Sequence, residues 1–180
     1  MPSTVLIHPG LNNSGPEHWQ TLWEQANPDF VRIAQRDWDR PVCAEWVAVL
    51  EDTVRRLGPS VVLVAHSLGC IATARWAAGP HSPVKAALLV APPDTGRPDF
   101  PAEAVGFHPM PRQPLGFPSI LVASTNDPYG SFAHAEACAA AWGSRLVNLG
   151  PAGHINSASG LGDWPAGFAL LDELRTEARA

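Results

Sequence analysis

Cysteine is scarce in this chain. Cys43, Cys70 and Cys138 are the whole set, odd in number, widely spaced and without a C-x-x-C pair. Such a set builds neither a disulfide framework nor a cysteine-ligated zinc site, and it reads as reduced, mostly buried thiols. Basic residues are also few. Twelve Lys and Arg are scattered without a run against seventeen Asp and Glu, giving a formal net charge of -5, which leaves no electrostatic footprint for nucleic acid. No apolar stretch approaches the roughly 18 continuous residues needed to span a bilayer. The N-terminus lacks a basic start followed by an apolar segment and a cleavage site. These absences point to a cytoplasmic protein without membrane contact. Missing too are G-x-G-x-x-G and the lysine of a P-loop, so the glycine turn near the N-terminus suits nucleotides poorly. Internal repeats and domain boundaries are absent, and 180 residues fit a single domain, 1–180.

What the sequence does have is alternation. Strand-like apolar runs at Thr4–His8, Val31–Gln35, Ser60–Ala65, Val84–Val90, Ser119–Ala123 and Arg145–Leu149 are separated by helical patterns. The helices are expected at Glu17–Gln25, Ala44–Leu57, Leu68–Ala78, Phe132–Trp142 and Trp164–Ala178, each with apolar positions three or four apart. This predicts an α/β fold with a roughly six-stranded parallel sheet flanked by helices on both faces. The exception is the stretch 92–118, with eight prolines interleaved with Phe100, Phe107, Met110 and Phe117. It reads as a long ordered loop, and two roles stay open for it: one wall of a substrate pocket, or a crossover whose aromatics cover the core.

Chemistry enters at Ala65-His66-Ser67-Leu68-Gly69, placed between the run Val61–Val64 and a helix. A β-branched strand, a sharp turn and a helix together describe a nucleophile elbow, in which a strained serine exposes its hydroxyl and leaves little space two positions to either side. Gly69 meets that demand, and Ala65 departs from the usual glycine by one methyl group. The new helix points its free amides at the site, favouring an oxyanion there. Cys70, three residues on, reads as a packing residue facing the sheet and not as a second nucleophile.

A serine hydroxyl needs a base, and the base needs an orienting acid; in this strand-elbow-helix arrangement the acid and then the histidine follow the serine in the chain. Of seven histidines, His154 lies in a Gly-Pro-Ala-Gly-His-Ile-Asn loop after the last strand, and is favoured over His108. Asp127, in Asn-Asp-Pro directly after the fifth strand, is the candidate acid, with Asp94 and Asp99 as weaker alternatives. Asp163 reads as the N-cap of the last helix. The amides of Leu68 and Leu11 are the candidate oxyanion donors, with Gly10 permitting close approach of the first turn. Gly10, His18, Trp19 and Tyr129 are candidate substrate-binding residues, although Trp19 and Tyr129 fit packing roles as well and His18 also fits a cap on the first helix. No metal or organic cofactor is called for.

With these residues in place, the chain resembles the retinoblastoma-binding protein 9-like family of small serine hydrolases, its bacterial-type members in particular. The resemblance spans nearly the whole length. It rests on the Pro9-Gly10 turn, the segment Ser14-Gly15-Pro16-Glu17-His18-Trp19-Gln20, the elbow, Asp127-Pro128, Gly153-His154-Ile155-Asn156, and Ser159-Gly160-Leu161-Gly162-Asp163-Trp164-Pro165. It implies a lidless single-domain α/β-hydrolase, with Ser67, Asp127 and His154 on the family's triad positions. Two departures stand out: Ala65 in the elbow, and the lack of an L-x-C-x-E segment, Pro41-Val42-Cys43-Ala44-Glu45 having proline where leucine belongs. Retinoblastoma-protein binding is therefore not expected.

The expected function is hydrolysis of small acyl esters, of carboxylesterase type, through an acyl-serine intermediate. One alternative is an amidase or aminopeptidase, whose substrate amine would need a carboxylate such as Asp37, Asp39 or Glu17. Another is a non-catalytic binding protein on the same fold. Seven tryptophans leave enough apolar surface for a homodimer contact.

Overall fold

The four inner strands form where apolar runs are buried on both sides, and the two edge strands have fewer apolar residues and are partly exposed. The computed structural model describes residues 3–177. Strands β1 (Thr4–His8), β2 (Val31–Arg32), β3 (Val61–His66), β4 (Ala86–Val90), β5 (Ser119–Ala123) and β6 (Arg145–Asn148) make one wholly parallel sheet in the order β2-β1-β3-β4-β5-β6. Helices α1 (Trp19–Ala26), α2 (Cys43–Leu57), α3 (Leu68–Ala77), α4 (Phe132–Trp142) and α5 (Pro165–Glu177) cover it.

The period of two along each strand divides the core. Leu6, Leu63, Ala65, Ala87, Leu89, Leu121 and Ala123 face α2, α3 and α4, meeting Trp46, Leu50, Ile71, Trp76, Cys138 and Trp142. Val5, Ile7, Val62, Val64, Leu88, Val90, Ile120 and Val122 face α1 and α5, meeting Trp19, Trp23, Leu171 and Leu174. Each fully buried Val or Leu contributes roughly 1.5–3 kcal/mol, which is why a parallel sheet reads as unbroken apolar runs. The chain leaves β1 for β2 on one side and returns to β3 on the other. That reversal opens a crevice at the carboxyl ends of β1 and β3, the usual position for a ligand site in such sheets.

Several boundaries differ from those expected, for local reasons. β2 stops at Arg32 because Gln35 leaves the sheet edge, its amide Nε2 donating to Trp46 O (3.1 Å). α1 starts at Trp19 because the His18 ring caps it, Nδ1 accepting from Gln20 N–H (3.2 Å). α5 starts at Pro165, a residue suited to a first helical position, so Asp163 is not its N-cap; the Asp163 carbonyl instead accepts from the Trp23 indole (2.6 Å). The expected helix end at Ala178 lies outside the described residues.

The proline-rich stretch both packs into the core and lines a cavity. Val105 exchanges backbone hydrogen bonds with the start of α2, at 2.9 Å to Cys43 N–H and 2.9 Å to Pro41 O. Phe107 is fully buried, edge-on to Trp46 at 5.5 Å. The Trp142 indole donates to Pro111 O at 2.9 Å. Pro93, Phe100, Pro101 and Ala104 of the same stretch line the cavity over the sheet's carboxyl edge. Of the seven tryptophans, Trp19, Trp23, Trp46, Trp76, Trp142 and Trp164 are buried, and Trp38 packs partly buried against the core.

Phe107→Ala is expected to destabilise the protein by about 3–5 kcal/mol, read as a lower urea midpoint at unchanged slope. A loss below about 1 kcal/mol would show that the stretch lies on the core without being part of it.

Candidate active site

Ser67 follows β3 with φ 54 and ψ -123, in the left-handed region that a residue with a side chain rarely adopts. Such a conformation costs about 1–3 kcal/mol and persists only where the surroundings fix it. Here Ser67 N–H donates to Val90 O (2.9 Å) and Ser67 O accepts from Cys70 N–H (2.9 Å), which fastens the turn on both sides. A β-carbon on Gly69 would stand 2.5 Å from His8 O and 2.7 Å from Pro9 O, and one on Gly10 would stand 2.9 Å from the Ser67 β-carbon. Only glycine lets the β1 turn and the elbow touch. Ala65 is accommodated because its methyl group points into the core under α2 and α3 instead of into that contact.

His154 and Asp127 reach Ser67 from loops beyond β6 and β5. The Ser67 hydroxyl donates to His154 Nε2 at 2.8 Å, and His154 Nδ1–H donates to Asp127 Oδ2 at 2.8 Å and Oδ1 at 3.0 Å. The His154 and Asp127 side chains are 8% and 3% exposed, so this chain of bonds is shielded from water along most of its length. Asp127 Oδ1 also accepts from Tyr129 N–H (2.9 Å), fixing the carboxylate in its turn. The weaker candidates are bonded to other partners. Asp94 accepts from Gly96 N–H, Asp99 is ion-paired with Arg97, and His108 approaches Thr95.

Four residues hold these loops in a role the sequence did not reveal. Asn126 Oδ1 accepts from Gly153 N–H (2.7 Å) and Ser124 Oγ accepts from Ala152 N–H (2.9 Å), sewing the Asp127 turn to the His154 loop. His66 Nε2–H donates to His154 O (2.9 Å), and the Trp19 indole donates to Ile155 O (2.8 Å). Turn-forming Ser and Asn were visible as a local signal; their partners, more than 25 residues away, were not.

A cavity of about 520 Å³ opens over Ser67, lined by Leu11, His18, Leu68, Phe100, Ala104 and Tyr129 among others. Among the described residues, neither Leu11 N–H nor Leu68 N–H has a hydrogen-bond acceptor. Tyr129 stands half exposed at the rim, its ring 4.6 Å from that of His154. Beyond Tyr129 and His154 a second recess of about 420 Å³ continues over Pro151–His154. Trp19 and Gly10 do not line the cavity: Trp19 is buried in the α1/α5 core, and Gly10 lies under the elbow. Glu17, Asp37 and Asp39 do not line it either, whereas Asp94 and Asp99 do.

Buried histidines surround the elbow. Burial lowers His8 to about 4 against the pull of its bond to Pro9 O, and burial with the nearby Arg32 and His154 lowers His18 to about 4. Burial also holds His66 well below its ordinary value. All three are neutral at pH 7. Cys70 is fully buried and its thiol is pushed far up by that burial, so it is no nucleophile. Among the described residues no cluster of His, Cys, Asp and Glu is placed to hold a metal ion, and no helix is long and apolar enough to cross a membrane.

The family model described as serine hydrolase matches residues 5–173. A ydeN-like hydrolase from Pectobacterium atrosepticum is similar over 98% of this chain and 92% of its own, at 33% identity and a TM-score of 0.87. The ydeN gene product of B. subtilis is 19% identical, with coverage of 97% and 100% and a TM-score of 0.80. Esterase 2 of Thermogutta terrifontis is 19% identical, with coverage of 98% and 83% and a TM-score of 0.66. Among curated proteins none matches the chain.

The depressed histidines give stability a definite pH dependence. Below about pH 6.5 the unfolded chain takes up protons that folded His8 and His18, titrating at about 4, refuse. Stability is therefore expected to fall as pH drops from 6.5 to 4, by up to about 1.4 kcal/mol per pH unit for each histidine. Urea midpoints measured across that range check it, and His8→Gln is expected to flatten the slope.

Proposed function

The chain belongs to the serine hydrolase family, and from that membership we propose that it hydrolyses small acyl esters through an acyl-Ser67 intermediate. The observation that carries this reading is the continuous run of hydrogen bonds, 2.8 Å from Ser67 to His154 and 2.8 Å from His154 to Asp127, ending on an elbow serine. In the proposed scheme Ser67 Oγ attacks the acyl carbon as its proton passes to His154 Nε2. The tetrahedral oxyanion is held by the amides of Leu68 and Leu11. His154 then gives the proton to the departing alcohol oxygen, and the acyl-serine remains. Water attacks next, losing a proton to His154, and the carboxylic acid leaves as the proton returns to Ser67 Oγ. Asp127 keeps Nδ1 protonated and stabilises the imidazolium. The scheme uses no metal or organic cofactor.

The leaving alcohol must depart beside His154, past Tyr129 and His18. The acyl group is then assigned to the apolar members of the lining, Leu11, Leu68, Phe100 and Ala104. A cavity of about 520 Å³ is of ordinary size for a small ligand, which supports short acyl chains. The carboxylates considered for an aminopeptidase, Glu17, Asp37 and Asp39, stand away from the cavity, which removes their support for that reading; Asp94 and Asp99 do line it, Asp99 paired with Arg97. A purely non-catalytic role leaves the strained serine and its hydrogen-bonded partners without a purpose. A cytoplasmic setting belongs to the same proposal.

A fluorescent fluorophosphonate probe is expected to label the intact protein, and Ser67→Ala and His154→Ala are expected to lose labelling and at least about 10⁴-fold in turnover of p-nitrophenyl butyrate. A folded wild-type protein that neither labels nor turns over would sink the hydrolase reading. The pocket's size sets a second expectation: kcat/KM for acetyl or butyryl esters should exceed that for palmitoyl esters by roughly tenfold or more. The reverse order would refute a short-chain pocket.

A further inference from the structure

Ile155, directly after the proposed base, has φ 49 and is fully buried. A β-branched residue in the left-handed region is a genuine outlier, and it persists only where its neighbours over-determine it. Two buried ring N–H groups do so here. His66 Nε2–H holds the carbonyl of His154 at 2.9 Å, and Trp19 Nε1–H holds the carbonyl of Ile155 at 2.8 Å. The two donors come from different elements, β3 and the start of α1, and they grip consecutive carbonyls of one loop.

We infer that Trp19 and His66 are positioning residues that set the place of the His154 ring, by pinning the two carbonyls on either side of a strained Ile155. The inference rests on the acyl-serine reading of Ser67 and His154. Neither residue is hydrogen-bonded to Ser67 Oγ or to the Asp127 carboxylate, so neither acts on the reacting atoms directly. The Trp19 indole is itself immobilised, edge-on to Trp23 at 4.6 Å and to Trp164 at 5.1 Å. His66 is adjacent in sequence to Ser67, so one strand end carries both the nucleophile and a tether of its base. The separation of Ser67 Oγ and His154 Nε2 is therefore referred to a single rigid element. With one tether removed, the left-handed residue can relax toward ordinary backbone angles and carry the imidazole with it. Misplacement of a catalytic group by about 1 Å can cost on the order of 10²-fold in rate.

Trp23 supplies the control. It lies in the same aromatic cluster and its indole also donates to a backbone carbonyl, that of Asp163 at 2.6 Å, outside the Gly153–Asn156 loop. Wild type, Trp19→Phe and Trp23→Phe are compared for thermal stability, for kcat and KM with p-nitrophenyl butyrate, for fluorophosphonate labelling rate, and for the low-field proton resonance of His154 Nδ1–H. Both variants are expected to lose stability. Trp19→Phe alone is expected to lower kcat and labelling rate by about 10- to 100-fold with KM within about twofold, and to shift or broaden the low-field proton. Equal effects on kcat in the two variants, or wild-type kcat in Trp19→Phe, overturn the positioning role while leaving the hydrolase reading intact. A folded wild type that does not label overturns both. Should Trp19→Phe fail to fold, His66→Gln, whose amide can still donate to the His154 carbonyl, is expected to keep most of kcat, and His66→Leu to lose it. Equal activity in that pair overturns the assignment.

Discussion

Ser67 is kept in left-handed backbone at the end of a central strand, and the arrangement around it follows from making that conformation tolerable. The turn closes only if the chain after β1 comes within van der Waals contact of it, which demands glycine at 10 and at 69. That contact in turn requires β1 and β3 to be neighbours, although β2 lies between them in sequence. The resulting reversal of direction creates the crevice, and the free amides of Leu11 and Leu68 end up on its floor. Sheet order, glycine positions and cavity are thus three expressions of one steric requirement.

Beneath the elbow the protein buries polar groups that a simple core would exclude. Gln20 spans from α1 to the sheet, its amide donating to Val64 O at 3.0 Å and accepting from Ser14 Oγ at 2.6 Å. His8 is enclosed between the Pro9 carbonyl, Gln35 and the ring of Trp46. Burying such groups is costly unless they are bonded, and most of these are. Their service is directional. Apolar packing keeps a helix against a sheet but tolerates small slides, whereas a buried amide bonded at both ends fixes the register of α1, and with it the position of Trp19.

Features with local causes were legible in the sequence. The elbow could be read because strand, turn and helix are contiguous, and the candidate acid and base because chain order restricts them to loops after later strands. The sixfold alternation gave the sheet for the same reason, the four inner strands being apolar runs in their own right, with the edge strands β2 and β6 more polar. What escaped was everything decided by a distant partner. Trp19 is beside the cavity in sequence but turns inward, because its indole finds Ile155 O, 136 residues away. Glu17, Asp37 and Asp39 were the carboxylates nearest early turns, yet Asp94 and Asp99 of the proline-rich stretch face the cavity, since a loop's facing depends on what it packs on. Six of the seven tryptophans are buried, although composition alone places none of them inside.

The stretch 92–118 reaches from core to cavity without a break, with Phe107 among the innermost side chains and Phe100 at the cavity wall. Swinging such a wall aside in the manner of a hinged flap would expose interior surface to water. The wall over Ser67 is thereby tied to the same packing that holds the sheet and its helices together. The contour of the chamber is inherited from the interior beneath it, so remodelling what the chamber admits means rebuilding the interior as well.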